Sequence, residues 1–261
     1  MKKNYICAVL VVIFCGITAM DALGQEAKEG KNLVKFNMLT LFGGKYSVEY
    51  ERLLTNRIAV GTAVSFRPEK GLPFADRVRE YVDGDEMDLI LNDLTTSNFS
   101  ITPEVRFYTS SRGPFRGFYI APYAKYASYE MAMPFEFEVD AEDEFGYERK
   151  ETIPLNGSIR SFTGGLSFGF NFKLVDNVHL DWRIIGPGYG SSKGDISGTM
   201  GLNADEQAAL REGLNELEVE LEDLPVPLTI EHEVDGNGAN IRIVKSPWAS
   251  IRSGLSISYR F

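Results

Sequence analysis

The sequence predicts an all-β chain, an eight-stranded antiparallel up-and-down transmembrane β-barrel with a short helix and hairpin in its last outer loop. Three observations carry this prediction. Eight segments alternate apolar and polar residues with period two, which gives each strand one apolar and one polar face. Apart from a short first outer link, Gly43–Lys45, the links between the segments alternate between short and long. Acidic residues collect in the long links.

In chain order, the first segment runs from Val34 to Phe42, with Phe36 and Met38 on one face and Lys35 and Asn37 on the other. The second, Tyr46 to Leu53, sets Val48 and Tyr50 against Glu49 and Glu51. The third opposes Ile58, Val60, Val64 and Phe66 to Ala59, Gly61, Ala63 and Ser65. The fourth opposes Phe99, Ile101, Pro103, Val105 and Phe107 to Ser100, Thr102, Glu104 and Arg106. The fifth has Phe118, Ile120, Pro122 and Ala124 opposite Tyr119, Ala121, Tyr123 and Lys125. In the sixth, Phe162, Leu166, Phe168, Phe170 and Phe172 face away from Ser161, Thr163, Ser167, Asn171 and Lys173. The seventh sets Val178, Leu180, Trp182 and Ile184 against His179, Asp181 and Arg183, and the eighth runs from about Trp248 to Phe261. Prolines 103 and 122 suit a ladder poorly and predict a local bulge.

A membrane barrel turns its apolar face to lipid and its polar face to the lumen. The polar faces here mix Gly, Ala and Ser with long charges of both signs. That mixture suits the narrow interior of eight strands, which has just room for side chains. The expected lumen network comprises Glu49, Glu51, Glu104, Arg106, Lys125, Lys173, His179, Asp181, Arg183, Arg252 and Arg260. A charge costs about 2–4 kcal/mol on a lipid face at mid-membrane, so such groups turn inward and pair. The lumen therefore reads as largely plugged by ion pairs.

The links after the second, fourth and sixth segments are short, and those after the third, fifth and seventh are long, about 68–98, 134–155 and 189–246. Short turns on one side and long loops on the other match an outer-membrane barrel. The three long loops hold 28 acidic and 9 basic residues, against 37 and 27 in the whole chain. An acidic rim around a slightly basic barrel offers no basic face and excludes nucleic-acid binding.

Residues 1–24 read as a signal peptide: Lys2 and Lys3, an apolar run from Ile6 to about Ile17, then Ala22 and Gly24 before the expected cut. The run is shorter than the ~20 residues a spanning helix needs. Bulky Phe14 ahead of Cys15 argues against a lipoprotein. Cys7 and Cys15 are the only cysteines, so residues 25–261, the expected barrel domain, have no disulfide or thiolate chemistry.

The last loop contains "NADEQAALREGLNELEVELEDLP", whose Asn203 and Glu206 form a capping box. Leu210, Leu214, Leu217, Leu221 and Leu224 recur at helical spacing and are expected to pack on their own neighbours. A hairpin turning at Asp235–Gly238 should lead into the last strand. In the middle loop, Phe135, Phe137 and Val139 alternate in opposite parity to Ala124. This predicts a bulge where the fifth strand leaves the lipid and projects as a hairpin with the sixth.

No motif carries catalysis, and no cofactor or metal is expected. His179 and His232 are the only histidines. His179 lies near the wrong end of its strand for an outer-rim lipid-modifying enzyme, and His232 between Glu231 and Glu233 has no nucleophile beside it. "DGDEMD", Asp83–Asp88, lacks the Gly and Glu positions of an EF-hand, and "GPGYGSSKG", Gly186–Gly194, fits no phosphate-loop pattern.

The stretches "VKFNMLTLFGGKYSVEYERLL", "IIGPGYG" and "SGLSISYRF", with the acidic helix-bearing last loop, resemble a family of small outer-membrane barrels of unknown function, related in architecture to the OmpA-like eight-stranded type. The resemblance covers nearly all of the chain after the signal peptide. It implies insertion into a Gram-negative outer membrane and contact with lipid and lipopolysaccharide. It also implies that the barrel-assembly machinery reads a C-terminal signal formed by Leu255, Ile257, Tyr259 and Phe261. It transfers no catalytic residue.

The resulting expectation is a monomeric outer-membrane protein, not an enzyme, with a structural or surface-interaction role and room for an extracellular ligand on its acidic loops. The alternatives are a narrow porin-like channel for small solutes, a lipid-modifying enzyme and a soluble lipocalin-like binder.

Overall fold

Each period-two segment folds as a strand, and the strands close on themselves. The computed structural model describes residues 30–71, 94–111, 113–140, 148–222 and 227–261. The expected signal peptide, the Asp83–Asp88 run and Leu224 lie outside them. The strands are β1 Asn32–Asn37, β2 Tyr46–Leu53, β3 Ile58–Gly71, β4 Thr95–Tyr108, β5 Gly117–Asp140, β6 Glu148–Lys173, β7 Val178–Thr199, β8 Ile230–Asp235 and β9 Gly238–Arg260. Among the described residues one α-helix, α1, spans Ala204–Glu222.

Neighbours pair antiparallel in the order β1 to β7, then β9 and β8, and β1 also pairs with β9. Eight strands, β1–β7 and β9, therefore form a closed up-and-down barrel, and closure leaves that ring without an edge. The closing seam matches Leu33 with Arg260 and Phe36 with Ile257. Beyond the strand end, Asn32 N–H donates to Phe261 O and Phe261 N–H to Asn32 O, both at 3.0 Å. Leu255, Ile257, Tyr259 and Phe261 thus lie on the outward face of the closing strand, with Ser256, Ser258 and Arg260 buried inside.

The ring has two segments of opposite character. On its lower part, Val64, Phe99, Leu166, Trp182 and Tyr259 are exposed outward, while Glu51, Arg106, Ser167 and Asp181 are buried inward. On its upper part, Phe137, Val139, Ile153, Leu155, Ile241 and Ile243 are buried inward. The inversion happens on unbroken strands. β5 and β6 pair one-to-one from Gly117↔Asn171 to Asp140↔Glu148 without a register shift. The bulge expected between Ala124 and Phe135 is therefore absent. Odd-numbered residues of β5 face inward throughout, and what changes is whether the inside is polar or apolar. The changeover falls between the pairs Tyr126↔Phe162 and Tyr129↔Ile159.

The bulge expected at the prolines is also absent. β4 and β5 keep one register from Thr95↔Ala132 to Tyr108↔Tyr119, and bonded pairs are simply missing beside Pro103 and Pro122. A proline removes one donor, and here the ladder forgoes that bond without shifting. Shifts occur elsewhere, between Arg67 and Lys70 on β3 and between Arg183 and Gly186 on β7.

The upper part is a cap built from the extensions of β5, β6, β7 and β9, the added strand β8, and α1. The capping box forms as expected: Glu206 N–H donates to Asn203 Oδ1 and Asn203 N–H to Glu206 Oε2, both at 2.9 Å. Leu210 and Leu214 are fully buried against β5, β6 and β8, and Leu217 and Leu221 pack at the margin, so the leucine stripe serves the cap's own core. Arg211 Nη2 donates to Val234 O at 2.7 Å, tying the helix to the β8 backbone. Among the described residues, no helix is long and apolar enough to cross a membrane.

Candidate functional site: a charged interior

The inward positions of β1, β2, β4 and β7 converge on Arg106. Its Nε lies 2.5 Å from Glu104 Oε1, its Nη2 2.5 Å from Glu49 Oε1, and its Nη1 contacts Asp181. Arg183 Nη2 bridges Glu49 at 3.0 Å and Glu104 at 2.9 Å. Lys35 Nζ sits among Glu49 at 3.1 Å, Asp181 at 2.5 Å and Glu51. Arg252 Nη1 reaches Glu104 Oε2 at 2.8 Å. Four carboxylates thus meet four cations. Such desolvated groups are tolerable only when paired and hydrogen-bonded.

Two tyrosines complete the bonding. Tyr108 OH donates to Glu51 Oε1 at 2.6 Å, and Tyr119 OH to Asp181 Oδ1 at 2.8 Å. The Arg106 guanidinium also lies 4.3 Å from the Tyr119 ring centroid. Carboxylate oxygens of Glu49, Glu51 and Asp181 fall within 4.8 Å of one another, a spacing that could hold a cation. The Lys35 ammonium and the Arg106 guanidinium contact all three, so the charge a metal would bring is already there.

Below the network, the link between β4 and β5 turns inward. Phe115 is fully buried, with φ at 56°, a left-handed conformation that a bulky residue rarely adopts. Its ring meets Tyr108 edge-on at 6.1 Å, and the Arg260 guanidinium lies 5.5 Å from its centroid. His179 Nδ1 faces Phe115 O at 3.2 Å and Asn171 Oδ1 at 3.0 Å, two acceptors that place its proton there. His179 Nε2 is buried without a hydrogen-bond partner. Phe115 packs at this end of the barrel in one buried cluster with Leu33, Leu53, Tyr108 and Tyr119.

Above the network, one line of register crosses seven strands on small buried residues: Ser47, Ser65, Ser100, Ala127, Ser161, Ser192 and Ser246. Ser65 Oγ donates to Ser47 Oγ at 2.9 Å, whereas Ser192 Oγ is buried and unpartnered. Tyr129, two residues to the outer side of Ala127, and Trp248, two to the inner side of Ser246, meet with ring centroids 5.5 Å apart beneath the cap core.

The residues expected in the lumen separate into levels. Glu49, Glu51, Glu104, Arg106, Asp181, Arg183 and Arg252 make the network, while His179 and Arg260 lie against Phe115. Lys125 stands apart on the outer side, and Lys173 pairs at 3.3 Å with Asp176 in the inner turn. His232 lies under α1, with Nδ1 3.8 Å from Glu218 Oε2, and no nucleophile adjoins it in the contacts described. Sequence reasoning put Lys35 on the polar face yet left it out of the network. It also missed Tyr108, Tyr119 and Phe115. The alternation that placed Tyr119 inward was the available signal, and none existed for Phe115.

A closed ring whose lower part carries buried charged groups inside and apolar side chains outside defines an eight-stranded β-barrel of inside-out polarity. The chain belongs to a family described as a protein of unknown function (DUF3575), whose model matches residues 8–198. No curated protein matches it.

Proposed function

We propose that the protein is an integral outer-membrane β-barrel of the OmpA-like eight-stranded type, secreted on the signal peptide of residues 1–24. Its role is structural or one of surface interaction rather than catalysis. The observation that carries this reading is the inversion along β5 and β6. Below the pair Tyr126↔Phe162, large apolar side chains point away from the ring, where only lipid makes them favourable. Above Tyr129↔Ile159, the same strands bury apolar residues inside, as a domain in water does.

The ion-paired interior and the inward Phe115 favour a closed barrel over a porin. The water-type cap, with its acidic helix, presents the surface on which an extracellular ligand would act. Extraction tests the placement. The protein should resist carbonate and high salt, yield to detergent, and migrate differently on gels with and without boiling. Release without detergent would overturn the reading in favour of a soluble barrel.

A further inference from the structure

The interior network is balanced, but the interior as a whole is not. Glu49, Glu51, Glu104 and Asp181 are taken up by Lys35, Arg106, Arg183 and Arg252. Beyond Arg67, which bonds backbone carbonyls, and Arg260 at the Phe115 end, Lys45 and Lys125 remain. Both are half-buried, and among the described residues neither has a carboxylate within ion-pair distance. The charges that reach Lys45 are those of Lys125 and Arg252, both positive. Two ammonium groups partly withdrawn from water without a counterion make an unfavourable arrangement unless an anion joins them.

Their setting is built rather than incidental. Gly44, at φ 68°, ends the short helical turn Leu39–Gly43, and Lys45 N–H donates to Thr40 O at 3.0 Å, fixing the lysine's backbone. Arg67 Nε holds the same turn through Gly43 O at 3.1 Å. Lys45 stands one inward position to the outer side of the serine row, and Lys125 one to the inner side. On the β2–β4 side of the row, Ser47 and Ser65 bond each other and Ser100 is small and buried. Arg252 lies 4.5 Å from the Tyr123 ring centroid and presents the third cation.

We propose that the outer end of the lumen, between Lys45, Lys125 and Arg252, is a binding site for a small multivalent oxyanion of the phosphate or sulfate class. The two ammonium groups and the Arg252 guanidinium supply charge and donors. The inference goes beyond the structural role and needs no membrane, since every group in it faces the barrel interior.

The site has a pH signature. Burial, then the Lys125 and Arg252 charges, pull the Lys45 ammonium down to about 8. Arg67 and Lys70 on β3 add positive charge beside its turn, and Glu104 faces it only through Arg252. Lys45 is therefore charged and binding below that pH, and neutral above it. A bound oxyanion favours the ammonium and moves the window upward.

Titration of the full-length, detergent-solubilised protein with inorganic phosphate and with sulfate, followed by calorimetry, tests the proposal. Saturable binding at pH 7 is expected, weakening by about tenfold at pH 9.5 as charge-assisted bonds are lost. K45M/K125M should lose binding while keeping heat-modifiable migration, and K45R/K125R should retain it at both pH values. Absent binding by the wild type, or equal affinity in K45M/K125M, would overturn it. These outcomes are independent of the carbonate extraction that tests the membrane placement.

Discussion

The carbonyl oxygen of Phe115 lies 3.2 Å from Nδ1 of His179, and the two rings meet edge-on with centroids 6.3 Å apart. A short link between strands has turned its aromatic residue into the barrel and hung it on a histidine of β7, two strands round the ring from β5. The left-handed backbone at Phe115 is held there by burial of its side chain.

Phe115→Ala should destabilise the protein by about 3–5 kcal/mol through loss of the buried ring. Phe115→Gly should be about 1 kcal/mol less harmful than Ala, because glycine accepts the left-handed conformation. Urea unfolding of the two variants checks the order, and Ala equal to or better than Gly would sink the strain argument. In planar bilayers, wild type should show no reproducible conductance steps.

Arg106 is the hub of the interior, so Arg106→Met leaves four buried carboxylates to the three cations Lys35, Arg183 and Arg252. A loss of about 3–5 kcal/mol is expected from breaking one side of a buried ion-pair network. The measurement is the denaturation midpoint in detergent. A loss under about 1 kcal/mol would mean that water already solvates these carboxylates.

The two segments of β6 should respond oppositely to the same substitution. Leu166→Arg, on the outward apolar belt, should cost about 2–4 kcal/mol in a bilayer. Asn156→Arg, outward on the cap, should be nearly neutral. Refolding yields in lipid vesicles compare them directly, and equal effects would contradict the proposed boundary.

Deleting Phe261 removes both backbone bonds to Asn32 at the closing seam. Outer-membrane yield should fall severalfold, while the protein that does assemble keeps its unfolding midpoint to within about 1 kcal/mol. Undiminished yield would refute a role for the terminal residue in assembly.

Much of the barrel was legible because period two states directly which residues share a face. The inward placement of Glu49, Arg106 and Asp181 followed from alternation alone. How deep each residue sits did not follow, since depth depends on strand tilt and pairing across the ring. Lys125 and Arg252 therefore read as equals, although only Arg252 reaches the network. The parity change on β5 was also visible, but two causes share that signature: a bulge that rotates the strand, and an interior that changes from polar to apolar. Phe115 was illegible for a simpler reason, as nothing local shows a turn folding inward.

The polarity inversion also gives assembly a direction. In a bilayer, the cap's apolar core, Phe137 with Ile153 and Leu214, can form only after β5–β9 have carried it through to water. Once formed, it is continuous with the strands of the ring, and on the proposed placement retreat through the bilayer would require it to unfold first.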